Sequence, residues 1–150
     1  MSSRKIEDLT PRMQGRTRIF EAMLEQAGLH FHRSCTRRSQ EEQNALWKRG
    51  RESLDVVNAA YESVGLPPIT VEENKRPVTW TALTVHTSGE AVDYYQEVEG
   101  KASYDLKVDA DFDKIPDWQE FGKIAIGCGF EWGGTWKTKP DYPHIQWKDS

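Results

Sequence analysis

The sequence predicts an α+β fold: a small antiparallel sheet flanked by helices. Helical and strand-like periods come in clusters, without the βαβ alternation of a parallel sheet. No internal repeat or low-complexity stretch interrupts them. Six Trp, five Tyr and five Phe in 150 residues supply a core of the size one domain needs, so a single domain over residues 1–150 is expected.

Thr10-Pro11 is a helix start, because Thr can cap and Pro tolerates the first helical position. Met13, Ile19, Phe20, Met23, Leu24 and Ala27 then recur at helical spacing up to Gly28. Leu29 and Phe31 alternate with His30 and His32 on a short strand, which places both histidines at the surface; the strand leads into Arg37-Arg38. Ser39 with Glu42 three residues on is a capping box, opening a helix through Ala45, Leu46 and Trp47 toward Gly50. Glu41-Glu42 and Lys48-Arg49 read as solvated helix charges. Leu54, Val57, Tyr61 and Val64 give a further helix, stopped at Gly65 and Pro67-Pro68; residues 69–77 read as loop or edge strand. Val78 to Thr84 and Ala91 to Tyr95 read as extended pieces joined by His86 to Glu90. Asp117 is expected to cap a helix with Trp118, Phe121, Ala125 and Cys128 on one face. Phe130 to Trp132 and His144 to Trp147 are the final strands, around the Gly133 to Trp136 loop.

Twenty Lys+Arg against 24 Asp+Glu leave a net charge of -4, which offers no broad attraction to nucleic acid or an anionic membrane surface. Neither a nucleic-acid partner nor membrane insertion is expected. The opening Met1-Ser2-Ser3-Arg4-Lys5-Ile6 contains no apolar run, so the expectation is a chain without a signal peptide or transmembrane helix that stays in the cytoplasm. Cys35 and Cys128 do not form a metal-type pair and read as small buried fillers with no disulfide.

Chemistry is suggested by His86 and His144, each beside a carboxylate. A catalytic zinc needs three nitrogen or oxygen ligands and an open fourth position. His86 and Asp93, separated by a Gly-containing turn and joined by the distant His144, meet that requirement, and Asp141 lies three residues before His144 where a base is needed. Spacing alone leaves other readings open: a polar turn for His86 and Asp93, a backbone-bonding turn for Asp141, and a solvated charge for Arg38.

The string Thr84-x-His86-x-x-Gly89-x-Ala91-x-Asp93 resembles the S-x-H-x-x-G-x-A-x-D signature of zinc peptidases of the D-Ala-D-Ala carboxypeptidase/VanY superfamily, peptidase family M15, and Asp141-x-Pro143-His144 resembles their closing motif. Within it, Arg38-Ser39, Glu42-Gln43, Leu46 and Gly50-Arg51, together with Trp118 through Gly129-Phe130-x-Trp132-Gly133-Gly134, are most similar to the L-alanyl-D-glutamate endopeptidase group, which includes phage endolysins. The resemblance implies a hedgehog/D,D-peptidase-like fold with its zinc site on the sheet. It makes His86, Asp93 and His144 the ligands of one zinc, Asp141 the general base, and Arg38 the cation on the scissile carbonyl. At 150 residues no separate wall-binding domain is expected, so a monomeric, single-domain phage endolysin is favoured, with a bacterial housekeeping enzyme as the alternative. Such a lysin waits in the host cytoplasm and, after membrane permeabilisation, cuts the L-Ala-D-Glu bond of the peptidoglycan stem peptide from the periplasmic side. Thr84 replaces the usual Ser but keeps the hydroxyl; Arg37 stands where an aromatic residue is common, which leaves Arg37 and Arg38 to be told apart; and the Leu54–Val64 helix is longer than the group's usual connection. The alternatives are a D-Ala-D-Ala carboxypeptidase, whose relatives more often carry Glu at the Asp141 position, and a catalytically silent, zinc-stabilised wall-binding domain. The Trp132 to Trp136 loop suits either a cleft wall or core packing.

Overall fold

A computed structural model of the chain describes residues 2–79 and 85–148. Thr10 caps the first helix, α1 (Pro11–Gln26), its hydroxyl accepting from the Met13 amide. The chain turns at Gly28 into β1 (Phe31–Cys35). Ser39 opens α2 (Gln40–Lys48) by accepting from the Glu42 amide at 3.1 Å, and α3 (Leu54–Ser63) follows. Then come β2 (Ala91–Val98), β3 (Lys101–Ser103), α4 (Asp117–Gly127), β4 (Phe130–Trp132) and β5 (His144–Trp147).

The five strands form one sheet in the order β1-β2-β5-β4, with β3 pairing β2, and every pairing is antiparallel. The α+β expectation is met. One face of β2 carries Val92, Tyr94 and Gln96, all nearly fully buried under α1 and α4. Phe20 of α1 meets the rings of Tyr94 and Phe121 edge-on, with centroids 5.5 and 5.2 Å apart, and Phe31 meets Trp118 the same way at 4.7 Å. Phe121 touches four aromatic rings and is wholly buried, so Phe121→Ala removes the centre of this core. The expected loss is about 3–5 kcal/mol, read as a lower urea midpoint with an unchanged slope.

A second, smaller cluster of Ala45, Val57 and Tyr61 binds α3 to α2. The helix with no evident purpose in the sequence therefore props α2, which carries Glu42 and Gln43. No helix among the described residues is long and apolar enough to cross a membrane.

Several expectations need correction. Asp117 does not cap α4: Pro116 holds the cap position, and the buried Asp117 carboxylate accepts instead from Gln96 Nε2 on β2 at 2.6 Å and from the Ala110 amide at 3.0 Å. A tertiary donor claims the side chain that sequence pattern assigns to the helix end. Glu42 is not a solvated charge but 1% exposed, because Ser2 and Arg38 face it from the N-terminal segment and the end of β1. Val78 and Thr79 belong to no strand, and residues 69–77 form a loop with one 3₁₀ turn at Glu73–Lys75. Thr84 and the rest of that extended piece lie outside the described residues. Both cysteines are free, but only Cys35 is buried; Cys128 is half-buried. His30 and His32 are at the surface, as expected.

Candidate active site

The face of β2 opposite the aromatic core carries Asp93, and strand register decides what stands beside it. Asp93 is paired with Cys35 on β1 and with His144 on β5, so three side chains from three adjacent strands form one row on one face. A register shift between Arg33 and Cys35 brings Cys35 into that row. His86 arrives from a 3₁₀ turn, Val85–Ser88, just before β2. Gly89 completes the turn with φ +76, and a Cβ there would meet the Asp8 carbonyl oxygen at 2.9 Å. Both the conformation and the space favour glycine.

His86 Nε2 lies 3.2 Å from Asp93 Oδ2, and His144 Nδ1 lies 3.1 Å from Asp93 Oδ1. Ligand atoms of the three residues all fall within 4.8 Å of one another, while the two imidazoles are 3% and 5% exposed. The other ring nitrogens are held from outside: His144 Nε2 is 2.7 Å from Gln146 Oε1, and His86 Nδ1 is 3.8 Å from Cys35 Sγ. Each ring is thereby fixed with one nitrogen toward the shared centre, which is how metal-binding histidines are oriented. Two imidazole nitrogens and a carboxylate oxygen converging on one point suit a divalent transition metal.

The electrostatics agree with a cation at this point. Burial disfavours the charged form of His86, yet the Asp93 carboxylate outweighs it and pushes the imidazole pKa up to about 10. Burial would raise Asp93, but the two imidazoles hold it well below the usual carboxylate range. The site therefore keeps a proton where a metal would bind, and metal binding would release it.

Asp141 borders the cluster from the segment before β5. Its amide donates to the Gly133 carbonyl at 2.9 Å and its carbonyl accepts from the His144 amide at 3.2 Å, so the 3₁₀ turn Gly133–Thr135 and the start of β5 both fix it. A Cβ on Gly133 would come within 2.2 Å of the Asp141 carbonyl oxygen, so only glycine permits this approach. Burial, then the Asp93 carboxylate, raises the Asp141 pKa against the pull of both imidazoles. A groove of about 200 Å³ runs from Asp141 and Tyr142 past Tyr104, Leu106 and Trp118. Trp136 packs on His144 with ring centroids 5.1 Å apart, held by its indole N–H donating to Glu131 at 2.9 Å, whereas Trp132 is buried in the core. The loop thus contributes Trp132 to the core and sets Trp136 against His144.

Arg38 reaches the same region from the end of β1. Its guanidinium donates to Gln43 Oε1 at 2.8 Å and Ser2 Oγ at 3.2 Å, lies 3.6 Å from Glu42, and has Nη2 3.9 Å from Cys35 Sγ. Arg37 is exposed, and its backbone bridges to Ser3. The sequence reading missed Cys35, Glu42, Gln43 and Gln146 as supports. Glu42 and Gln43 carried a signal as part of the segment resembling the endopeptidase group, and Gln146 carried one because a residue two along a strand from His144 shares its face.

Residues 78–147 match a family described as D-alanyl-D-alanine carboxypeptidase, within peptidase family M15. Through this stretch, a little under half of its length, the chain is similar to the M15 peptidases. The matched segment contains His86, Asp93, Asp141 and His144, while Arg38 precedes it. The chain is 40% identical over 62 residues to the peptidoglycan L-alanyl-D-glutamate endopeptidase CwlK of Bacillus subtilis (strain 168), a match covering 41% of this chain and 37% of that protein. The crystal structure of the Serratia marcescens L-Ala D-Glu endopeptidase ChiX shares the fold, with a TM-score of 0.55 and 21% identity over 99% of this chain and 89% of that one.

Proposed function

We propose that the protein is a zinc-dependent peptidoglycan endopeptidase that hydrolyses the L-Ala-D-Glu bond of the stem peptide. The observation that carries this reading is the convergence of His86, Asp93 and His144 beside Asp141, inside a segment similar to the M15 peptidases with a relative of that activity. His86, Asp93 and His144 would hold the metal. When bound, zinc supplies Lewis acidity to the attacking water and to the scissile carbonyl. Asp141 takes the proton of that water and returns it to the leaving amine nitrogen, a task that suits a carboxylate whose affinity for a proton is raised by burial. Arg38 is braced by Gln43, Ser2 and Glu42, and its remaining N–H groups meet the carbonyl oxygen as it gains charge.

Arg38→Lys is expected to fold and bind metal yet lose roughly 10²–10³ in kcat, because an ammonium cannot keep the braced planar fork and aim a second donor at the substrate. Arg37→Lys is expected to behave as wild type, its side chain being exposed. The check is kcat/KM of both variants on one peptidoglycan preparation; a large loss in Arg37→Lys alone would reverse the assignment.

A D-Ala-D-Ala carboxypeptidase is the second reading, favoured by the description of the matched family. Mass spectrometry of digested peptidoglycan separates the two. New N-terminal D-Glu supports the endopeptidase, and release of D-Ala supports the carboxypeptidase. The finer role, a phage endolysin reaching the wall from the periplasmic side, rests on the motif resemblance. A fall in turbidity of outer-membrane-permeabilised cells on adding the protein tests it.

A further inference from the structure

The segment before α4 reads Asp109-Ala110-Asp111-Phe112-Asp113-Lys114-Ile115-Pro116-Asp117-Trp118-Gln119-Glu120, and the proposed hydrolysis uses none of its acids. Carboxylate oxygens of Asp109, Asp111 and Asp117 lie within 4.8 Å of one another, as do those of Asp111, Asp113 and Glu120. Asp111 joins the two groups into one cluster of five acids.

Acidic loops are common at protein surfaces, but one member here is not at the surface. Asp117 is 1% exposed, and while its Oδ2 accepts from Gln96 and Ala110, its buried Oδ1 has no hydrogen-bond partner among the described residues. Glu120 is only partly buried, but its Oε1 atom is shielded from solvent and has no hydrogen-bond donor among the described residues. A buried carboxylate oxygen grouped with other acceptors lacks the positive partner its desolvation requires. Burial, then Asp113, pushes the Glu120 pKa up to about 8, so the cluster as it stands favours taking up positive charge.

We propose that residues 109–120 form a calcium site that fastens the start of α4 to the sheet. Counted from Asp109, side-chain oxygens fall at positions 1, 3, 5, 9 and 12, with the Ile115 carbonyl at position 7. That is the ligand pattern of a twelve-residue calcium loop, in which the exiting helix follows and a carboxylate at position 12 closes the shell. Such loops use glycine at position 6 for a sharp turn; here Lys114 makes the turn, with φ +71. Five carboxylates with no nitrogen or sulfur donor suit a hard cation with six to eight oxygen ligands. Magnesium keeps several waters and needs fewer carboxylates.

The ion would tie Asp117, and through it Gln96 of β2, to the loop whose Tyr104 and Leu106 form, with Trp118, the wall of the groove beside Asp141. Any effect on hydrolysis rests on the proposed function; the binding itself does not.

The test is isothermal titration calorimetry and thermal melting of the full-length, zinc-loaded protein with calcium chloride, against magnesium chloride at equal concentration. Asp111→Asn, Glu120→Gln and His86→Ala are titrated alongside. Expected are a calcium Kd of about 10⁻³ M or tighter with a raised Tm in the wild type and in His86→Ala, and a loss of at least about tenfold in affinity in Asp111→Asn and Glu120→Gln. Circular dichroism checks that both loop variants fold; Asp111 is not buried and Gln is nearly isosteric with Glu. No heat or melting shift at about 5 mM calcium would overturn the site. So would loop variants that titrate like wild type, a calcium response lost only in His86→Ala, or an equal response to magnesium. Failure of the peptidase assay with calcium binding intact would count against the hydrolytic reading alone.

Discussion

His86→Ala is expected to lose metal and activity together: zinc content should fall from about one per chain to near zero, and turnover to the uncatalysed background. The variant leaves one imidazole and one carboxylate. Asp93, whose pKa the two imidazoles hold down, loses the larger of those attractions. Chelation of the wild type should reproduce the loss, and zinc should restore the wild type but not the variant. Because His86 is buried against Cys35 and the start of β2, circular dichroism must accompany the metal analysis to show that the fold survives. Full zinc content with full activity in His86→Ala would remove it from the ligand set.

The parts of this site that sequence reading reached are those set by local pattern. His86 and Asp93 sit on either side of a turn whose Gly89 is required by its φ, so their proximity follows from a few residues of chain. The helices of α1 and α2 announced themselves through Thr10 and Ser39, whose hydroxyls accept from the amides that sequence spacing assigns. What stayed hidden depends on long-range register. Cys35 stands beside Asp93 because β1 shifts its register after Arg33, and nothing local marks that shift. Glu42 resembles any first-turn helix acid until Ser2, forty residues earlier, is placed against it. Asp117 fits a helix cap equally well, and only Gln96 across the sheet shows that it is turned inward. The short β3 carries no alternating pattern of its own and exists because β2 extends far enough to pair it. Such errors have a common cause: a side chain's local propensity is outweighed when tertiary contact supplies a better partner.

Asp141→Asn is expected to keep the fold and the zinc while kcat drops by roughly 10²-fold or more. The backbone of Asp141 does the structural work, bonding Gly133 on one side and His144 on the other, and Asn preserves both contacts. The side chain keeps its size and polarity but loses its charge and its ability to accept and release a proton. Asn cannot take the proton of the attacking water, nor deliver one to the leaving nitrogen, so both halves of the reaction suffer while substrate binding is largely spared. KM should therefore change little, and the loss should appear in kcat. Glu131 is poorly placed to take over, since its carboxylate accepts the Trp136 indole N–H that keeps Trp136 against His144. The measurement is kcat and KM on a soluble stem-peptide substrate, with zinc content determined on the same sample. Near-wild-type turnover with zinc bound would show that another group moves the proton and that Asp141 is a turn residue whose burial serves only the loop.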